Sequence, residues 1–240
     1  LLLNILPEEV AEELKLKGEA EAVHIDQVTV LFTDFKGFTA VSEVVTPRQL
    51  VHDLHECFSA FDRICEKHGI EKIKTIGDAY MAAGGLPTPN TTHATDAIKA
   101  ALEMRDFIAE GKVRKVAAGL PYFEIRIGIH TGPVVAGIVG LKKFQYDIWG
   151  DTVNTASRME SSGEVGQVNI SEATYRLVKD AKRVNGEWSI ANGGDSGSTA
   201  HSPFTNSHSP AFTFTPRGKV QAKGKGEMEM YFVSRSLGEG

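Results

Sequence analysis

Apolar residues along the chain fall into short dense runs separated by polar, glycine-marked breaks, and the period of each run suggests its element. Val28-Thr29-Val30-Leu31-Phe32-Thr33-Asp34 is β-branched and aromatic, which reads as a buried strand ending on a carboxylate. Gly37 follows in a tight loop. Thr46-Pro47-Arg48-Gln49 is a capping box with proline at the first helical position, and it opens a helix to about residue 68. Two strand-like runs, 72–76 and 80–83, flank Gly77-Asp78 and predict a hairpin with an acid at its tip. A helix is expected over 92–110 and a strand over 123–130. Gly132-Pro133 then turns the chain so that 134–139 returns. Further along, 145–149 and 168–170 read as strands, and 151–160 and 171–179 as helices. Residues 184–211 change character: Gly, Ser, Asn and His dominate, which predicts a flexible polar insertion. Strands resume at 212–215, 220–222 and 230–233. Strands interleave with helices, and some connections are too short for a crossover. The expected fold class is α+β or α/β, a mixed sheet with helices packed outside.

Residues 1 to about 22 are charged and helix-prone, with Leu3, Leu6, Val10 and Leu14 spaced by three and four. They read either as the end of a signalling helix that pairs with its copy in a dimer, or as an ordinary amphipathic lead-in. The chain does not begin with Met, and a piece of a longer protein is expected.

Composition narrows the function classes. The 240 residues are 41% hydrophobic with a formal net charge of -5. That suits one well-packed domain and makes non-specific nucleic-acid binding a poor expectation. No run of apolar residues is long enough to span a membrane. Cys57 and Cys65, in one predicted helix, form neither a metal-ligand pattern nor a disulfide framework, which fits a reducing cytoplasmic setting.

The chemistry-bearing residues sit at strand ends and turns. Asp34 and Asp78 could clasp a hard cation such as Mg²⁺. Taken singly, each reads first as an Asp that caps a turn, and spacing alone does not pair them. The loop Phe35-Lys36-Gly37-Phe38 after Asp34 offers backbone N–H groups to a phosphate. Asn154 and Arg158 lie four apart and share a helix face, with Arg158 suited to a phosphoryl group gaining charge. Lys223 and Lys225 alternate with glycine, so a polyphosphate could approach them closely. His52 and His55 with Glu56 lack a further ligand for zinc and read as a solvated helix face.

Three long motifs and a short one resemble the class III adenylyl/guanylyl cyclase catalytic domain. They are Leu31-Phe32-Thr33-Asp34-Phe35-Lys36-Gly37-Phe38-Thr39, then Lys72-Ile73-Lys74-Thr75-Ile76-Gly77-Asp78-Ala79-Tyr80-Met81. The third is Phe144-Gln145-Tyr146-Asp147-Ile148-Trp149-Gly150-Asp151-Thr152-Val153-Asn154-Thr155-Ala156-Ser157-Arg158-Met159, and Lys223-Gly224-Lys225-Gly226 closes the set. The resemblance implies a ferredoxin-like βαββαβ core with added strands and helices, spanning about 23–240. It implies two divalent metal ions, Mg²⁺ or Mn²⁺, on Asp34 and Asp78, and ATP as substrate. Lys74 and Asp147 resemble the adenine-reading pair, Asn154 the ribose-orienting residue and Arg158 the transition-state arginine. Lys223 resembles the lysine of the terminal phosphates, and Lys142 would add a second cation. Since one chain carries both halves of the family's shared site, a head-to-tail homodimer is implied. An upstream sensor or membrane segment is expected beyond the chain.

Overall fold

The structure, a computed structural model, describes residues 5–140, 144–184, 187–190 and 212–236. Helix α1 (Glu8–Lys17) precedes β1 (Val23–Lys36), α2 (Phe38–Val44) and α3 (Pro47–Lys67). The hairpin β2 (Glu71–Ile76) and β3 (Ala79–Gly84) leads to α4 (His93–Ala117), β4 (Glu124–Val139) and β5 (Gln145–Trp149). Then come α5 (Asp151–Ser161), β6 (Val168–Ser171), α6 (Glu172–Val178), β7 (Ala181–Val184), β8 (Glu187–Ile190), β9 (Phe212–Ala222) and β10 (Gly226–Arg235). The main sheet runs β2-β3-β1-β4-β6-β10-β9, with β5 paired to β4 beside this path. Strands β1 to β4, with α3 and α4 between them, form the ferredoxin-like βαββαβ unit, and the fold is α+β.

Strand β1 is buried on both faces, which is why its sequence is a continuous apolar run rather than an alternation. Leu31 and Phe35 face one core with Phe61 and Ile64 of α3 and Ile98, Leu102 and Met104 of α4. Val28, Val30 and Phe32 face a second core with Val134, Ile148 and Ala156, which Leu6 and Ala11 close from the N-terminal segment. Burying each large side chain contributes about 1.5–3 kcal/mol. Helix α3 starts where its cap predicts, the Gln49 N–H donating to Thr46 Oγ1 at 3.2 Å. Cys57 and Cys65 are free thiols, and burial pushes both up to about 12.

The structure departs from the sequence reading in places. Gly132-Pro133 does not reverse the chain: β4 is one 16-residue strand, antiparallel to β1 over most of its length. The pairing shifts between Ile25 and Val28, so Asp26 and Gln27 lie opposite Pro133 alone. Such a bulge accepts a residue that has no N–H to give. The loop after Gly37 contains the short helix α2, and α4 runs on to Ala117. Residues 187–190, expected inside the polar insertion, form β8 against β7. The insertion's residues 191–211 lie outside the described residues.

Helix α5 lies against β4 because Gly128 has no side chain. A Cβ there would come 1.9 Å from the Glu160 backbone nitrogen. Gly128→Ala is therefore expected to destabilise the fold by about 3 kcal/mol or more, beyond ordinary overpacking. Thermal unfolding followed by circular dichroism checks this, and a melting temperature equal to wild type contradicts it.

Candidate active site

Asp34 reaches its place because β1 runs to the end of its pairing with β4, where Asp34 stands opposite Arg126. Asp78 sits between β2 and β3, in the hairpin whose β3 pairs with β1 at Thr33 and Tyr80. The Asp34 charge and the Phe35 backbone N–H both act on the Asp78 carboxyl, the first raising it and the second lowering it. Two carboxylates that spacing could not pair are thus neighbours. Arg126 donates from Nη2 to Asp34 Oδ2 at 2.9 Å and from Nε to Glu160 Oε1 of α5 at 2.9 Å. Three acids surround one guanidinium.

The electrostatic consequence is measurable. Burial, and then the Asp34 charge, raise the Asp78 carboxyl above the usual range. Burial pushes Glu160 up to about 7; Arg126 opposes this but is outweighed, and Asp34 and Asp78 add to the rise. A cluster of hard oxygen donors with surplus negative charge fits a hard divalent cation such as Mg²⁺ or Mn²⁺, and Asp34 and Asp78 would hold it. Arg126 and Glu160 were not among the sequence candidates. Arg126 alternates with Ile125 and Ile127 along β4, the pattern of a strand with one polar face, so nothing local marks its acidic partners.

Phe35 itself is core, its ring stacked on Phe123 at 4.7 Å. Only its backbone belongs to the site. Gly37 caps α2 with φ 76°, a left-handed conformation that favours glycine, and Phe38 opens the helix with its ring 5.9 Å from Phe123.

A second cluster lies between β2 and β5. Lys74 Nζ donates to Asp147 Oδ2 at 2.5 Å, and Asp147 Oδ1 accepts from the Ile148 N–H at 2.9 Å. Both side chains are half-buried. Asn154 is exposed and Arg158 half-buried on α5, and among the described residues neither side chain makes a hydrogen bond. Lys223 is exposed in the turn between β9 and β10, while its neighbour Lys225 pairs with Asp151 at the start of α5. Lys142 lies outside the described residues. Among the described residues no hydrogen bond or ion pair joins the Asp34–Asp78 group to the Lys74–Asp147 pair.

The α3 histidines separate from this chemistry. His52, Asp53 and Glu56 place ligand atoms within 4.8 Å of one another. Asp53, however, is buried and already holds Lys115 at 2.5 Å and Gln49 at 2.8 Å. His55 instead lies 3.5 Å from Ser59 Oγ.

Glu160 predicts a pH dependence. Its carboxyl binds a proton more tightly folded than unfolded, so its stabilising contribution is full below the ordinary glutamate range and is lost as pH rises through about 7. Glu160→Gln keeps the acceptor for Arg126 and removes the titration. Between pH 5 and 8 wild type is expected to lose about 2 kcal/mol more stability than the variant. Urea unfolding across that range reads the difference, and parallel pH profiles contradict it.

Known proteins resemble this chain along nearly its whole length. The family described as "Adenylate and Guanylate cyclase catalytic domain" matches residues 20–235. The chain is 38% identical over 237 residues to "Guanylate cyclase soluble subunit beta-2" of Rattus norvegicus, across 99% of this chain and 30% of that protein. It is 37% identical over 234 residues to "Adenylate cyclase" of Mycobacterium tuberculosis, across 97% of this chain and 45% of that one. The chain therefore spans less than half the length of either relative. The adenylyl cyclase CyaB from P. aeruginosa superposes with a TM-score of 0.73 at 27% identity, covering 91% of this chain and 98% of that one. No helix among the described residues is long and apolar enough to cross a membrane. The strand order, the paired aspartates and the family match lead to one conclusion: the chain belongs to the class III adenylyl and guanylyl cyclase catalytic domains.

Proposed function

We propose that this domain converts ATP to 3′,5′-cyclic AMP and pyrophosphate, at sites shared between two copies of the chain. The observation that carries the choice of base is the Lys74–Asp147 pair, a donor beside an acceptor, 2.5 Å apart and half-buried. Adenine offers an acceptor at N1 and a donor at its 6-amino group, which Lys74 and Asp147 answer. Guanine presents N1–H and O6, reversing both, and a buried mismatch of that kind costs several kcal/mol.

The reaction is an in-line attack of the ribose 3′-oxygen on the α-phosphorus, and pyrophosphate leaves. Both reacting groups belong to one molecule, so the protein's task is to fold the nucleotide and stabilise charge. Asp34 and Asp78 would hold two divalent ions, which when bound supply Lewis-acid activation of the 3′-oxygen and charge neutralisation on pyrophosphate. Arg126 holds the Asp34 carboxylate in place. Asn154 orients the ribose, and Arg158, one turn along the same face, supports the charged phosphoryl oxygens. Lys223, exposed in its glycine-flanked turn, meets the terminal phosphates together with Lys142. The backbone N–H groups from Phe35 to Phe38 would donate to the phosphates.

The Lys74–Asp147 pair has no bond to Asp34 or Asp78 among the described residues, and a head-to-tail homodimer would complete each site with aspartates from one copy and Lys74, Asp147, Asn154 and Arg158 from the other. Helix α1 is then where an upstream sensor or membrane segment would connect. Relatives of both specificities keep a guanylyl cyclase as the second reading, distinguished by the base pair alone. A catalytically silent nucleotide-binding module leaves Asp34, Asp78, Asn154 and Arg158 together without a purpose.

Mixing two inactive chains tests the shared site. Asp34→Ala and Arg158→Ala are each expected to lose at least about a hundredfold in turnover while keeping the fold. A random mixture places one intact site in each heterodimer and is expected to recover up to about a quarter of wild-type activity. Heterodimers that form and stay inactive overturn the shared site.

A further inference from the structure

At the opposite end of β1 from Asp34 lies a cavity of about 780 Å³. The bulge at Asp26 and Gln27 forms part of one wall, and the first turn of α4 forms another. Ile25 and Leu177 make part of its surface apolar. The family motifs do not use this cavity.

The α4 end of the cavity is built for negative charge. Helix α4 is 25 residues long, and its N-cap residue Thr92 makes no side-chain capping bond. The amides of His93, Ala94 and Thr95 have no partner within the helix, and the helix dipole adds positive potential there. The independent observation is Thr95. It lines the cavity at 4% exposure, and its hydroxyl has no hydrogen-bond partner among the described residues. A native buried hydroxyl rarely goes without one.

The surroundings hold this end rigid. A Cβ on Gly84 would come 2.7 Å from the His93 carbonyl oxygen, so β3 seats the start of α4 closely. His93 Nδ1 is 2.7 Å from Thr29 Oγ1, which is 2.8 Å from Thr131 Oγ1, and Thr174 Oγ1 follows at 3.0 Å. This hydroxyl chain through the core fixes the imidazole, leaving Nε2 as the ring's other polar atom. Lys99, paired with Asp96 at 3.1 Å, also borders the cavity. At its β1 side Asp26, 3.4 Å from His24, is exposed to solvent.

We infer that this cavity is a second ligand site of the domain, separate from the catalytic centre. It takes a small molecule whose oxyanion, a phosphate or a carboxylate, sits on the first-turn amides of α4 and accepts from the Thr95 hydroxyl. The apolar wall receives the molecule's uncharged part. The inference is independent of the base and the reaction proposed for the catalytic centre.

The test is amide NMR of the ¹⁵N-labelled chain without nucleotide, titrated with inorganic phosphate and, separately, with acetate. The expected result is saturable shifts at amides 93–95 with at least one anion, and a preference between the two identifies the oxyanion class. Thr95→Val keeps the shape and removes the hydroxyl, so it should fold with an equal or higher melting temperature. It is expected to weaken the binding at least tenfold, and Thr95→Ser to restore it. No saturable shift at 93–95 with either anion overturns the site. So does a response confined to amides 36–39, or equal affinity in Thr95→Val.

Discussion

The arrangement rests on one guanidinium. Arg126 reaches from β4 to Asp34 on β1 and to Glu160 on α5, tying three elements together at the point where the carboxylates gather. Without that cation, half-buried Asp34 and Asp78 and buried Glu160 would be three acids in mutual repulsion. Burying an unpaired charge is far more costly than pairing it. Even with Arg126 present, Glu160 is held up near neutrality and Asp78 above its usual range. The site therefore carries a surplus of negative charge while folded, which is the condition under which a divalent cation binds well.

That constraint propagates through the sheet. The register that sets Asp34 opposite Arg126 also sets Gly128 opposite Phe32, and Gly128 admits the backbone of α5. Helix α5 in turn carries Asn154 and Arg158, and its first residue Asp151 anchors the turn that holds Lys223 and Lys225. A shift of one residue between β1 and β4 would turn the apolar side chains to the wrong faces and separate Asp34 from its partner.

Asp34 and Asp78 were legible in the sequence because polar residues at a strand end and at a hairpin tip stand out against apolar runs. Their nearness was not, since it comes from the pairing of β1 with β3, a contact between distant segments. Arg126 and Glu160 were missed for the same reason: each looks like an ordinary surface charge until β4 and α5 are docked. Pro133 misled in a different way. Gly-Pro is a turn signal, but the bulge at Asp26 and Gln27 lets the strand pass through it, and that compensation lies a hundred residues away in the chain. The Lys74–Asp147 pair became meaningful only through the resemblance, because two opposite charges 73 positions apart carry no local signal. The hydroxyl chain from Thr29 to Thr174 was invisible, since buried threonines on a β-rich sequence read as ordinary strand formers.

In the proposed function the Lys74–Asp147 pair selects adenine at a two-metal site. It is tested most directly by measuring product from ATP and from GTP side by side, at high protein concentration with Mn²⁺ and then Mg²⁺. High concentration matters because a site shared between weakly associated copies is lost on dilution. Cyclic AMP with little cyclic GMP is the expected product. Cyclic GMP as the main product would contradict the reading of the base pair, and no product from either nucleotide in a confirmed dimer would contradict the catalytic reading itself.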